Sequence, residues 1–65
     1  MKVTVFLADD HRIMRDGLRT LIEARPGLRV VGEAGDGRAA VGDVCRLKPD
    51  VVLLDIAMPG FVVAR

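Results

Sequence analysis

Two rhythms of apolar residues alternate along the chain. Val3 to Ala8 (VTVFLA) is apolar except for Thr4, six residues long and rich in β-branched side chains. A run that short and uniform predicts a strand buried on both faces rather than a helix. From His11 to Ala24 the spacing changes to threes and fours, with Ile13 or Met14, then Leu18, Leu21 and Ile22. These positions predict one inward helical face, with Arg12, Arg15, Asp16, Arg19 and Glu23 turned to water. Arg25-Pro26-Gly27 ends this helix, because Pro26 disfavours helical geometry in the residue before it.

Strand character returns at Leu28 to Ala34 (LRVVGEA), and Gly35-Asp36-Gly37 predicts a tight turn. A second amphipathic helix follows over Arg38 to Leu47, with Ala40, Val41, Val44 and Leu47 inward. Lys48-Pro49-Asp50 ends it, the lysine suiting a helix C-terminus. Val51 to Leu54 is the third strand. The order βαβαβ with right-handed crossovers predicts an α/β fold with a parallel sheet ordered 2-1-3, if winding reverses after the second strand. Gly17, inside the first helix, is expected to permit close packing on a neighbour. Cys45 is expected to be a small, at least half-buried filler on the second helix.

Composition narrows the function classes. Sixty-five residues make one small domain, 51% hydrophobic but only 3% aromatic, so its core is aliphatic and the chain is no disordered tail. A formal net charge of +1, with basic residues scattered, gives no field to attract nucleic acid or anionic lipid. The single cysteine excludes an internal disulfide. Only six residues separate Lys2 from Asp9, so no secretion signal is expected, and no apolar run is long enough to span a membrane. A soluble, cytoplasmic protein is the expectation.

Candidate chemistry lies where open α/β sheets gather ligands, at the carboxyl ends of strands. Asp9-Asp10 follows the first strand and Asp55 the third, and order 2-1-3 makes those strands neighbours. Three converging carboxylates repel one another unless a cation joins them. A hard divalent ion such as Mg²⁺ takes one or two carboxylates and keeps water for phosphoryl oxygens. An aspartate beside it is then placed to become an aspartyl phosphate. The plainer alternatives are that Asp10 caps the first helix and that Asp55 is an ordinary loop residue. His11, next to the pair, is expected to be a solvated first-turn residue. A competing motif is Gly35-Asp36-Gly37-Arg38-Ala39-Ala40, which fits G-x-G-x-x-A between a strand and a helix, with Asp55 about twenty residues on. It reads as a dinucleotide fingerprint or as a glycine-rich turn. The dinucleotide reading leaves Asp9-Asp10 and Met58-Pro59-Gly60 unexplained.

The segments VFLADDHRIMRDGLRTLIEARPGLRVVGEAGDGRAAV and KPDVVLLDIAMPG together resemble the receiver domain of bacterial response regulators of the NarL/FixJ (LuxR) type. The resemblance covers residues 2 to about 60 and implies a flavodoxin-like fold and two-component signal transduction. It implies Asp55 as phosphoacceptor, Asp10 as a direct ligand of Mg²⁺ and Asp9 as one acting largely through water. The backbone carbonyl of Ala57 would complete the protein ligands. It implies a signalling domain rather than an enzyme, with a sensor histidine kinase as partner.

The departures from the family carry expectations of their own. Family receivers have five strands and about twice this length. Their fourth strand ends in Ser or Thr and their fifth in Lys, both contacting the phosphoryl group, and neither segment is present here. After Gly60 the family pattern gives way to Phe61-Val62-Val63-Ala64-Arg65. Residues 1–60 are therefore expected to be a partial receiver and 61–65 a divergent tail, with no output domain to contact nucleic acid. Losing one preorganised donor costs about 10²–10³ in rate, so weak Mg²⁺ binding and impaired phosphorylation are expected. The third-strand edge, with or without the tail, is expected to pair in a homodimer. The alternative function is a non-catalytic, dimerising interaction module.

Overall fold

The computed structural model of the chain describes residues 2–55. Its elements are β1 (Val3–Ala8), α1 (Arg12–Glu23), β2 (Leu28–Ala34), α2 (Gly37–Leu47) and β3 (Val51–Leu54). The strands are all parallel, in the order β2-β1-β3, as the hydrophobic pattern predicted. The expected Ala57 ligand, the Met58-Pro59-Gly60 loop and the tail 61–65 lie outside the described residues.

β1 is central, and its alternating side chains build two cores. Phe6 and Ala8 join Ala34 and Ala40 on one side, with Val44, Leu47 and Val52 packed against them. Val5 and Leu7 join Val30 on the other, under Leu18 and Ile22 of α1. The reversal of winding after β2 puts α1 and α2 on opposite faces, which is why β1 must be apolar on both. Phe6 and Leu7 are fully buried, and each such side chain contributes about 1.5–3 kcal/mol.

The β1–β2 register shifts between Val5, opposite Val30, and Phe6, opposite Gly32. An added Cβ at Gly32 would lie 2.9 Å from the Phe6 ring and 2.9 Å from Leu47 Cδ1. This glycine makes room for the largest core side chain. α2 begins on Asp36, whose carboxylate accepts from the Ala39 amide at 2.9 Å. It ends on Lys48 in a left-handed conformation (φ 50°) with its amide donating to Val44 O.

Several expected burials fail. Ile13, Met14 and Leu21 on α1 and Val41 on α2 are exposed, and only Leu18 and Ile22 carry α1 onto the sheet. At 3.6 residues per turn, Arg15 stands two turns before Ile22 and so shares its stripe, while Met14 and Leu21 form the stripe beside it. The sheet-facing stripe therefore contains a charge, and Arg15 is half-buried rather than turned to water. Cys45 is exposed, not a filler. Gly17 has nothing within 4 Å of an added Cβ, so it does not serve close packing.

Candidate functional site

Both acidic segments are positioned by hydrogen bonds that continue the sheet past its strands. The Asp9 amide donates to Ala34 O at 3.1 Å, and the Asp55 amide donates to Ala8 O at 2.8 Å. Asp9 and Asp55 are thus fixed side by side at the carboxyl end of the sheet, with Asp10 on the turn into α1. Asp9, Asp10, His11 and Asp55 each offer a ligand atom, and these atoms all lie within 4.8 Å of one another. The three carboxylates expected to converge do so.

His11 is exposed, as expected, and it also bridges the two acids of the pair. It is the N-cap of α1, with extended backbone and no side-chain capping bond. Its amide donates to Asp9 Oδ1 at 2.8 Å, so Asp9 orders the turn and Asp10 is not the cap. The imidazole Nδ1 lies 2.9 Å from Asp10 Oδ1 and 3.1 Å from Asp9 Oδ1. The hydrogen bond with Asp9, then the charges of Asp10 and Asp9, raise the imidazole pKa above its ordinary value. The amide of His11 is the main cause holding the Asp9 carboxyl below its ordinary value, with desolvation opposing it. A cationic group is thereby favoured over the carboxylates, which is the electrostatic complement that three acids require.

An apolar cleft of about 270 Å³ opens beside this rim, lined by Leu7, Ala8, Leu18, Leu53 and Leu54, with Asp9 and Asp55 as its polar lining. The glycine-rich turn has a local task. The Asp36 carboxylate sits on the α2 N-terminus, where a pyrophosphate would have to sit in a dinucleotide site, so the fingerprint is spent on a cap.

Two features escaped the sequence reading. Arg15 Nη1 donates to the Asp9 carbonyl at 3.0 Å, while its Nε lies 3.2 Å from Glu33 Oε1. Arg19 Nη1 donates to Glu33 Oε2 at 2.8 Å. The signal available was the seven-residue spacing of Arg15 and Ile22. At the opposite end of the sheet, Thr4 and Asp50 bind each other reciprocally, a pairing with no local signature.

For a magnesium ion, the donor set fits: three hard carboxylate oxygen donors drawn together on one rim, with Asp9 Oδ1 engaged by His11 and its second oxygen left to offer.

The family model of the response regulator receiver domain matches residues 5–62. Among curated proteins, the nitrate/nitrite response regulator protein NarP of Escherichia coli is 52% identical over 56 residues, 86% of this chain and 26% of that protein. The response regulator domain of Thermotoga maritima CheB superposes with a TM-score of 0.88 at 42% identity, covering 91% of this chain and 44% of that one. The isolated REC domain of RcsB from Salmonella enterica serovar Typhimurium, solved in the presence of phosphomimetic BeF₃⁻, superposes with a TM-score of 0.87 at 35% identity, covering 92% and 44%. The chain spans about a quarter of the length of curated relatives such as NarP. Among the described residues, no helix is long and apolar enough to cross a membrane.

Proposed function

The chain belongs to the response regulator receiver domain family, and from that premise we propose that Asp55 is its phosphoacceptor and that Asp9 and Asp10 hold Mg²⁺ beside it. The observation that carries this reading is the Asp55 amide bonded to Ala8 O, which brings the Asp55 carboxylate to the rim that Asp9 and Asp10 occupy. In the reaction, a carboxylate oxygen of Asp55 attacks the phosphorus of a phosphohistidine on a sensor kinase. The oxygen–phosphorus bond forms as the phosphorus–nitrogen bond breaks, and the departing imidazole takes up a proton. Mg²⁺, when bound, neutralises charge on the phosphoryl oxygens. Asp10 would hold it directly and Asp9 largely through water, in keeping with Asp9 Oδ1 already accepting from the His11 amide. By the family pattern the Ala57 carbonyl, which lies outside the described residues, would complete the set.

His11 contacts the Asp9 and Asp10 carboxylates, and Arg15 donates to the Asp9 carbonyl. The lysines and threonines stand elsewhere: Thr4 is bonded to Asp50, Thr20 to the Asp16 carbonyl, Lys2 precedes β1 and Lys48 caps α2. Labelling of Asp55 in the 65-residue chain is therefore slow and Mg²⁺ binding weak. The partner is a sensor histidine kinase and the setting is the cytoplasm. Intact-mass spectrometry after incubation with Mg²⁺ and a small phosphodonor tests the reading. A phosphoryl adduct absent from Asp55→Asn supports it, and an adduct retained in that variant sinks it.

A specific observation favours a second reading, a dimerising module. Val51, Leu53 and Leu54 are 42–46% exposed, and no described strand pairs with the outer edge of β3. A bare parallel edge is a template for another strand, and a second copy of this chain, with or without its 61–65 tail, supplies one.

A further inference from the structure

We propose that Arg15 is the positioning residue of the acidic rim, holding the Asp9–Asp10 turn at the end of β1, and that Gly35 leaves the space its guanidinium occupies. The inference rests on the receiver reading only for its consequence in cation binding.

The turn between β1 and α1 has one anchor from the sheet, the Asp9 amide on Ala34 O. The Asp9 carbonyl accepts from Arg15 Nη1 at 3.0 Å. Arg15 is able to reach it because the far side of its guanidinium is tethered to β2. Its Nε lies 3.2 Å from Glu33 Oε1, a contact between charges in which the buried N–H makes no hydrogen bond. Glu33 is itself held by Arg19 Nη1 at 2.8 Å. The chain of contacts therefore runs from β2 through Glu33 and Arg15 to the backbone between the two acids. A cationic donor on that carbonyl fixes where both carboxylates start, without touching either.

Gly35 supplies the independent observation. A Cβ there would stand 2.7 Å from Arg15 Nη1, the same atom that bonds Asp9. The next-nearest contact is the Arg15 Cζ at 3.9 Å, and among the described residues no other non-neighbouring atom lies within 4 Å. The obstacle is the free end of a flexible side chain, so the fold accommodates alanine by moving the guanidinium. Gly35→Ala thus separates positioning from stability: it dislodges Arg15 while leaving the core untouched.

The test uses the ¹⁵N-labelled 65-residue chain and four variants, R15A, R15K, G35A and R19A. Backbone relaxation and amide exchange of Asp10 and His11 read the order of the turn with no metal present. Titration with Mg²⁺, followed by the same amides, reads its consequence. In G35A and R15A the two amides gain motion and exchange faster, and Mg²⁺ affinity falls on the order of tenfold, as for other outer partners of metal ligands. G35A melts near the parent temperature. R15K, which reaches one partner but not both, recovers part of the loss. R19A, which releases Glu33 but keeps the Arg15 bond to the Asp9 carbonyl, shifts both readouts in the same direction as R15A but by less. If the Asp10 and His11 amides are as ordered in G35A and R15A as in the parent, the inference is overturned. If the parent binds no Mg²⁺, the cation reading fails, and the amide measurements still decide the role of Arg15.

Discussion

Thr4 and Asp50, 46 positions apart in sequence, clasp each other where β1 and β3 begin. The Thr4 amide and hydroxyl both donate to Asp50 Oδ2, at 2.9 and 3.0 Å. The Asp50 amide returns the bond to the Thr4 hydroxyl at 2.9 Å and to the Thr4 carbonyl at 3.0 Å. The clasp sets β3 in register with Val51 opposite Val5, and so places Asp55 at the far end. The first prediction is that Asp50→Ala and Thr4→Val lower the thermal midpoint, with Asp50→Ala the more damaging because it leaves two donors unmet. Circular dichroism melts check it, and an unchanged midpoint in both variants would remove the clasp from the account.

The clasp also has a pH signature. The Thr4 amide, then its hydroxyl, hold the Asp50 carboxyl below its ordinary value. A group with a lowered folded pKa contributes stability above its unfolded pKa and loses it as pH falls through the folded one. The parent chain should therefore lose stability on acidification below the ordinary carboxylate range, and Asp50→Asn should lose less over the same interval. Parallel denaturant titrations across that interval measure the difference.

Two glycines should respond in opposite directions. Gly32→Ala drives a methyl to 2.9 Å from both the fully buried Phe6 ring and Leu47 Cδ1. Overpacking of this kind costs about 1–3 kcal/mol. Gly17→Ala meets nothing within 4 Å in the middle of α1, and the gain in helix propensity is about 1 kcal/mol. Urea midpoints should fall for the first and rise for the second. A rise for Gly32→Ala would mean that the bulge beside Phe6 does not constrain the core.

The fate of these glycines marks the boundary of what the sequence discloses. The three strand spans agree with the hydrophobic runs that predicted them, because a short apolar run between turns has few alternatives. The meeting of Asp9, Asp10 and Asp55 followed from strand order alone. Arg15 was misplaced because binary patterning sends every charge to water, whereas a long cationic side chain lies along a buried stripe and delivers its head to a polar rim. Ile13, Leu21 and Val41 were misplaced for the converse reason: the pattern counts apolar positions, not the width of the sheet available to cover them. The Thr4–Asp50 clasp depends on a register between distant strands, which no local periodicity encodes.

His11 should act as a competitor at the rim it caps. Its imidazole contacts one oxygen each of Asp10 and Asp9, so an added divalent cation competes with the ring for the same two carboxylates. His11→Ala removes that competitor but keeps the backbone amide that bonds Asp9. At fixed pH and ionic strength, Mg²⁺ affinity should rise in His11→Ala, and in the parent the His11 ring resonances should shift as Mg²⁺ is added. Lower affinity in the variant would instead make the imidazole a helper of cation binding.

The β3 edge gives the last prediction. Val51 and Leu53 are each 42% exposed, and Leu54 is 46% exposed, beside an outer strand edge with no described partner. Apolar side chains at that exposure make an edge adhesive, and natural sheets blunt such edges with lysine. Leu53→Lys places a charge next to Leu7 and Leu18, at the open side of the cleft rather than within either core cluster. The parent chain should self-associate at micromolar concentration in sedimentation experiments, and Leu53→Lys should shift it towards monomer. Loss of secondary structure in the variant would point to a packing role, so circular dichroism accompanies the sedimentation. A Glu at the same position separates charge from shape: if pairing of bare edges drives association, Leu53→Glu disperses the chain as Leu53→Lys does. A parent that sediments as a monomer at these concentrations would rule out the dimerising module and leave the phosphoacceptor reading standing.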